Sequence, residues 1–180
     1  MSNGVWVFVC GPSGAGKDSV ISAATEILSA NPNIVFSRRM VTRPAQAGSD
    51  HDPVTEQQFR SLQESGGLSW HWEAHGFCYG VAAHYAHDVN TGRVVVVNGS
   101  RAHADLLPTS TDVRLVQITA AHEKLHNRLT QRGRDNAGAI AERLERNARF
   151  STLQADCAIV NDGALADAAQ DLADYLTGLL

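Results

Sequence analysis

The sequence is short of three things, and each shortage excludes a class of protein. It has no surplus of positive charge: 15 lysines and arginines stand against 19 aspartates and glutamates, a formal net charge of −4. Nonspecific affinity for a nucleic-acid backbone needs a basic face, so a general nucleic-acid binder is excluded and only local arginine clusters are left to bind small anions. Cysteine is scarce. Cys10, Cys78 and Cys157 are odd in number, far apart and set in or beside apolar stretches, which argues against a disulfide framework or thiolate metal cluster and for a reducing cytoplasm. Long apolar runs are missing as well. VWVFVC, residues 5–10, is far shorter than the ~20 residues of a membrane span, and no basic segment precedes it, so neither signal peptide nor anchor is expected.

What is present is a 43% hydrophobic fraction over 180 residues, enough for one well-buried domain and too little chain for two. Val5 to Cys10 reads as a strand buried on both faces. A glycine loop follows, and then Val20, Ile21, Ala24, Ile27 and Leu28 recur at helical spacing until Asn31-Pro32. A second strand is expected over 34–41. The polar stretch TRPAQAGSDHDPVT after it is too rich in turn formers to be a core element. Thr55 and Gln58 form a capping box for a helix carrying Phe59 and Leu62, ended by Gly66-Gly67. Residues 68–81 read as short strands or a hairpin, 82–91 as a helix, 94–97 and 113–118 as strands, 121–150 as mostly helical and 157–160 as a last strand. Leu165, Ala168, Ala169, Leu172, Leu176 and Leu179 give the tail an apolar helix face. Short buried strands alternating with helices predict an α/β fold on a largely parallel sheet.

GPSGAGKDS, residues 11–19, follows a strand and opens a helix, as a phosphate-binding loop requires. Its glycines turn successive backbone N–H groups to one point at the positive end of a helix, which makes an anion cradle. Lys17 reaches the outer phosphates from there. The residue after that lysine is ordinarily a serine or threonine whose hydroxyl helps hold magnesium. Here it is Asp18. Three readings stand: a carboxylate that complements the helix dipole, a magnesium ligand, or a disabled site, the last opposed by the intact Lys17 and the hydroxyl of Ser19.

In this order the motifs resemble the guanylate kinase branch of the nucleoside monophosphate kinases. GPSGAGK is followed by an arginine-bearing strand, Thr42-Arg43-Pro44, Tyr79-Gly80, a hydrophobic strand, a lid with RLTQRGR, and a strand ending in Asn161-Asp162. The resemblance covers nearly the whole chain and implies a P-loop NTPase fold: a five-stranded parallel sheet flanked by helices, in one domain over 1–180. It also implies an acceptor-binding insertion at about 37–82 and an arginine lid at about 121–150 that closes over ATP. Guanylate kinases carry, after their TTR, a second arginine, a Gly-Glu pair and a DYxF segment that hold GMP. Here Gln46 and Ser49 stand near the first two, and no tyrosine follows. The guanine-reading acid and its aromatic support are missing or moved.

GPSGAGKDS, TRPAQAGSDH, LSWHWEAHGFCYGV, VNGSRAH, RLTQRGRDNAGAIAERLERNARF and NDG closely resemble instead the ribose 1,5-bisphosphate phosphokinases, where aspartate follows the loop lysine. That resemblance implies transfer of the ATP γ-phosphoryl group to the 1-phosphate of ribose 1,5-bisphosphate, giving 5-phosphoribosyl 1-diphosphate and ADP. The alternatives are a guanylate-type nucleoside monophosphate kinase and a noncatalytic interaction module of the same fold. Such modules usually lose the loop lysine or the lid arginines, both of which this chain keeps.

The resemblance implies Lys17, Arg132 and Arg143 as catalytic residues. ATP falls to Gly11, Pro12, Ser13, Gly14, Ala15, Gly16, Lys17, Asp18 and Ser19 with Arg128 and Asn161, and magnesium to Asp18 and Ser19, directly or through water. A phosphate acceptor without a base calls for cations and hydrogen-bond donors. Arg39, Arg43, His51, His75, Tyr79, Ser100 and Arg101 are the acceptor candidates, with Arg38, His71 and His103 also of suitable type. Arg38 and Arg39 should point to opposite faces of a strand, so one of them is solvated or structural. Trp70 and Trp72 share a face away from His71. Ser100 and Arg101 follow a buried strand, at the sheet's carboxyl edge where ligands of open α/β sheets bind. Guanylate kinases often place an aspartate at that strand end, and this chain has Asn98. Arg128 with Arg132, and Arg143 with Arg146, can each share a helix face. The expected partner is a small sugar bisphosphate, with no nucleic acid and no membrane, and self-association is left open.

Overall fold

The computed structural model describes residues 4–12, 14–45, 49–131, 136–149 and 154–180; within its helices the side chains of residues 122, 143–144 and 146–149 are left undescribed. Strand β1 (Val5–Cys10) lies at the centre of a parallel sheet, between β7 (Val94–Asn98) and β8 (Val113–Thr119). Strand β2 (Ile34–Phe36) pairs with the outer side of β7, and β9 (Cys157–Val160) with the outer side of β8. The order is β2-β7-β1-β8-β9, the five-stranded parallel sheet expected.

Alternation along the strands gives the sheet two apolar faces. Val7, Val9, Val94, Val96, Val116 and Ile118 meet Val20 and Ala24 of α1 (Lys17–Ile27) and Leu172 and Leu176 of α7 (Leu165–Thr177). Trp6, Phe8, Cys10, Val95, Val97 and Leu115 face the other way, toward Trp72, Tyr79 and Val81. Burying a leucine such as Leu172 is worth ~2 to 5 kcal/mol against alanine, so the continuous valine-rich runs, more than any single contact, hold the carboxyl edge of the sheet in place.

A second, four-stranded sheet orders β4 (His51–Pro53), β3 (Arg39–Val41), β6 (Phe77–Ala82) and β5 (Leu68–Ala74). It corrects two expectations. Residues 34–41 form two strands in different sheets, because Ser37 gives both its N–H and its hydroxyl to the Val96 carbonyl, each at 2.9 Å, and ends the pairing with β7. Arg38 N–H then goes to Tyr85 Oη at 3.0 Å, and the chain turns into the second sheet. The turn-rich stretch after it contains β4, parallel to β3. As an edge strand it tolerates Pro53, whose missing N–H has no neighbour to bond.

The capping box is present: Thr55 Oγ1 accepts from Gln58 N at 3.1 Å and Gln58 Oε1 accepts from Thr55 N at 2.8 Å, opening α2 (Glu56–Glu64). The helix expected over 82–91 is α3 (Tyr85–Asn90), and NGSR leads into a one-turn helix, α4 (Arg101–Ala104). The lid region divides into α5 (His122–Gln131) and α6 (Ala137–Arg149). On α7 the expected apolar face is buried at Ala168, Ala169, Leu172 and Leu176, whereas Leu165 is exposed.

Candidate functional site

The donor side of the site is made of backbone. Leaving β1, the chain passes so close to β8 that a Cβ on Gly11 would stand 2.2 Å from the Ile118 carbonyl oxygen. Gly14 and Gly16 take φ of +85° and +80°, a left-handed conformation costly for other residues. Helix α1 starts at the next residue. The loop is held from behind: Asn161 Nδ2 donates to Ala15 O at 2.8 Å, and Arg128 Nη1 to Gly14 O and Ala15 O at 3.3 and 3.4 Å. Arg128 Nη2 also donates to Asn161 O at 2.9 Å, tying α5 and the end of β9 to the loop. With these carbonyls occupied, the loop borders a cleft of about 390 Å³ lined by Gly14, Gly16, Ser19, Arg128, Asn161 and Leu165.

Lys17 turns from the start of α1 to the end of β7, where Nζ donates to Asn98 Oδ1 and, at 2.9 Å, to Gly99 O. Asn98 Nδ2 donates in turn to Asp18 Oδ1 at 2.7 Å, while Lys17 Nζ and that same oxygen lie 3.9 Å apart. Burial pushes the Lys17 ammonium down to about 8; Asp18 opposes the shift, and the charges of Arg39 and Arg101 add to it.

The acceptor side is made of side chains. Arg39 is 7% exposed and sets its guanidinium 5.5 Å from the Tyr79 ring centroid. Burial lowers its proton affinity, against the attraction of Asp18; a guanidinium remains cationic. Arg38 is the solvated member of the pair, exposed and bonded to Asp50 and Asp52, as the alternation predicted. Arg43 belongs to a closed ring of hydrogen bonds. Its Nη2 donates to Ser49 Oγ at 2.6 Å, Ser49 Oγ lies 2.8 Å from His51 Nδ1, and His51 Nε2 lies 3.0 Å from the Arg43 carbonyl. The tautomer that closes the ring carries its proton on Nε2. His51, an expected acceptor contact, is 2% exposed, and both its nitrogens are engaged within this ring. Arg43 Nε is buried and, among the described residues, has no hydrogen-bond partner.

Tyr79 is buried and stacked on Trp72, centroids 5.5 Å apart and planes 7° apart. His75 occupies the exposed tip of the β5–β6 hairpin at φ +54°. Ser100 Oγ caps α4 by accepting from His103 N at 3.3 Å, and Arg101 is buried beside it. His103, at best a general donor candidate from sequence, is stacked on Trp72 at 4.5 Å, and burial pushes its imidazole down to about 4. Ser13, Arg132 and Arg134, and the side chains of Arg143 and Arg146, lie outside the described residues. Sequence reasoning missed the role of Asn98 between Lys17 and Asp18, and that of Ser49 between Arg43 and His51. The comparison with guanylate kinases marked both positions, Asn98 at the strand end and Ser49 near the missing glutamate, but not whom either would bond.

No protein-family model matches the chain. Among curated proteins it is 42% identical over 170 residues to ribose 1,5-bisphosphate phosphokinase PhnN of Pseudofrankia inefficax, covering 94% of this chain and 88% of that one. It is 36% identical over 173 residues to the protein of the same name from Agrobacterium fabrum, covering 94% of each. A bifunctional ribose 1,5-bisphosphokinase–thymidine phosphorylase of Azorhizobium caulinodans is 45% identical over 148 residues, 81% of this chain but only 21% of that larger protein. Among solved structures, guanylate kinase from Anaplasma phagocytophilum superposes with a TM-score of 0.71 at 22% identity, covering 99% of this chain and 87% of that one. The last similarity shows the fold alone.

Proposed function

The chain belongs to the ribose 1,5-bisphosphate phosphokinase family, and from that premise we propose that it is an ATP-dependent phosphotransferase acting on the 1-phosphate of ribose 1,5-bisphosphate. The products are 5-phosphoribosyl 1-diphosphate and ADP. The observation that carries the reading is a convergence of cations at the carboxyl end of the parallel sheet. Lys17, Arg39 and Arg101 lie near enough that both guanidiniums depress the proton affinity of the ammonium. Three cations gathered at one sheet edge suit a ligand of high negative charge. A nucleoside triphosphate meeting a sugar bisphosphate brings such charge to that point.

Because the attacking oxygen of a phosphate monoester is already ionised near neutral pH, no general base is needed. An oxygen of the 1-phosphate bonds to the γ-phosphorus as the bond to the β,γ-bridging oxygen breaks, and ADP carries away the electron pair. Catalysis reduces to alignment and charge stabilisation. In this reading Lys17 holds the outer ATP phosphates, and the cleft beside Arg128 and Asn161 takes the rest of the nucleotide. Arg39, Arg43 and Arg101 hold the acceptor phosphates. Arg132 and Arg143 reach the transferring group from the lid.

The residues present fit magnesium. Asp18 supplies a carboxylate and Ser19 a hydroxyl bordering the cleft. That suits an ion that takes one or two protein oxygens and completes its shell with phosphate and water. When bound, it supplies charge neutralisation between the β- and γ-phosphates.

The same reading makes residues 1–180 one catalytic domain, with the acceptor insertion and lid already described, working in the cytoplasm. Among the described residues no helix is long and apolar enough to cross a membrane. The test is ADP release with ATP and magnesium against ribose 1,5-bisphosphate, ribose 5-phosphate and GMP in parallel. Turnover is expected with the first. Efficient use of GMP alone would make the chain a guanylate-type kinase, and no turnover from a folded protein would make it a binding module.

A further inference from the structure

An aspartate directly after the phosphate-loop lysine ought to disable it. The two residues are neighbours on the first turn of α1, and a direct ion pair would spend the ammonium on a carboxylate before any phosphate arrived. In the structure the two form only a long ion pair, with no direct hydrogen bond. Lys17 Nζ and Asp18 Oδ1 stand 3.9 Å apart, beyond hydrogen-bonding distance, and the side chain bonded to both is Asn98 from the end of β7.

We propose that Asn98 is a positioning residue, a neutral amide spacer that keeps Asp18 from hydrogen-bonding directly to Lys17 and so leaves the lysine able to take phosphate. The inference rests on the phosphotransferase reading above and names a device within that site. The amide suits the task because its two ends differ. Its carbonyl oxygen accepts from the ammonium and its NH₂ donates to the carboxylate, an orientation fixed by the partners themselves. Alanine could do neither. Aspartate would set a second carboxylate against Asp18, and a hydroxyl is too short to span both groups. Gly99 O adds a second acceptor for Nζ at 2.9 Å, so among the described residues the hydrogen bonds of the ammonium go to neutral oxygens, with Asp18 as a longer-range ion partner. A phosphate can displace those more readily than a full negative charge, since hydrogen bonds between ions are the stronger ones.

The test is a double-mutant cycle read by calorimetric titration of ADP in EDTA, where neither metal nor acceptor takes part. Asn98→Ala is expected to weaken ADP binding about tenfold when Asp18 is present, the scale of one charge-assisted hydrogen bond. In an Asp18→Asn background, with no carboxylate left to quench the lysine, the same change should cost less than about twofold. Equal losses in both backgrounds would make Asn98 merely structural and overturn the proposal, as would no loss in the first. If Asn98→Ala does not fold, Asn98→Ser, which cannot bridge, carries the same cycle. The acceptor's identity does not enter, so these outcomes stand even if the sugar substrate is reassigned. Failure of the wild-type protein to bind ADP would overturn the phosphotransferase reading and this inference with it.

Discussion

The donor half of the site is built of backbone and the acceptor half of side chains, and the two halves differ in how they are held. Gly14, Ala15 and Gly16 form a loop in which the carbonyls of Gly14 and Ala15 are tied down by Arg128 and Asn161. What it binds is decided by main-chain geometry, which any nucleotide phosphate can use. Across the sheet edge, Arg39 lies over Tyr79, Tyr79 stacks on Trp72, and Arg43 is held by a ring through Ser49 and His51. There the identity of each side chain matters. On the function proposed above, this molecule would keep its general chemistry in the main chain and its substrate choice in the second sheet. Losses on the two sides should therefore separate cleanly into ATP and acceptor parameters.

The largest expected effect is at the junction of the halves. Lys17→Met should lower turnover about 100- to 1,000-fold, the usual cost of removing a transition-state charge donor, in a protein whose thermal unfolding is unchanged. The next sharpens the contrast. Arg39→Ala and Arg43→Ala should each lower kcat/KM for the acceptor by about 10- to 100-fold, as loss of a charged hydrogen bond would, while the ADP dissociation constant stays within about twofold. If ADP binding fell in step, the two-sided description would fail. A smaller effect is expected one step back. His51→Ala should raise the acceptor KM about fivefold to tenfold by releasing Arg43, with His51→Gln recovering part of the loss and the ATP parameters unmoved.

The pH responses are smaller still, and again they separate the sides. Lys17 titrates near 8 in the folded protein, below its ordinary 10.5, so ADP binding should weaken as pH rises through 8. Bound phosphate favours the ammonium, so binding near that pH should take up protons, measurable by titration in buffers of different ionisation enthalpy. Between about 8 and 10.5 the unfolded chain binds more protons at this residue than the folded one, and its contribution to stability rises with pH. His103 acts in acid. Its folded value near 4 lies below the ordinary 6.5, so its contribution is full above 6.5 and is lost as pH falls from there through 4. Thermal melts between pH 7 and 4 should show less acid sensitivity in His103→Phe, which keeps the ring packing against Trp72.

The donor half was legible in the sequence because its signals are local. GPSGAGKDS following a valine-rich strand contains its own turn geometry, and the loop, helix and parallel sheet appear where those residues require them. The acceptor half was legible only as a list of candidates. Closing the Arg43–Ser49–His51 ring depends on the parallel register of β3 and β4, Arg39 opposite His51, and the turn formers of TRPAQAGSDHDPVT concealed that strand. His75 and His51 looked alike as residue types, yet one became an exposed turn and the other a buried brace. No pattern of neighbours could have revealed the Asn98 bridge, since its partners lie a whole crossover away in sequence. The resemblance puts Asn161 at the nucleotide, and in the structure its side-chain amide bonds to the glycine loop.

The most direct test of the account follows the transferred phosphorus. ³¹P spectra of a reaction containing ATP, magnesium and ribose 1,5-bisphosphate should show the 1-phosphate signal replaced by the coupled pair of a sugar diphosphate as ADP appears, with the 5-phosphate unchanged. A product phosphorylated elsewhere on the sugar, or ADP formed without a diphosphate, would contradict it.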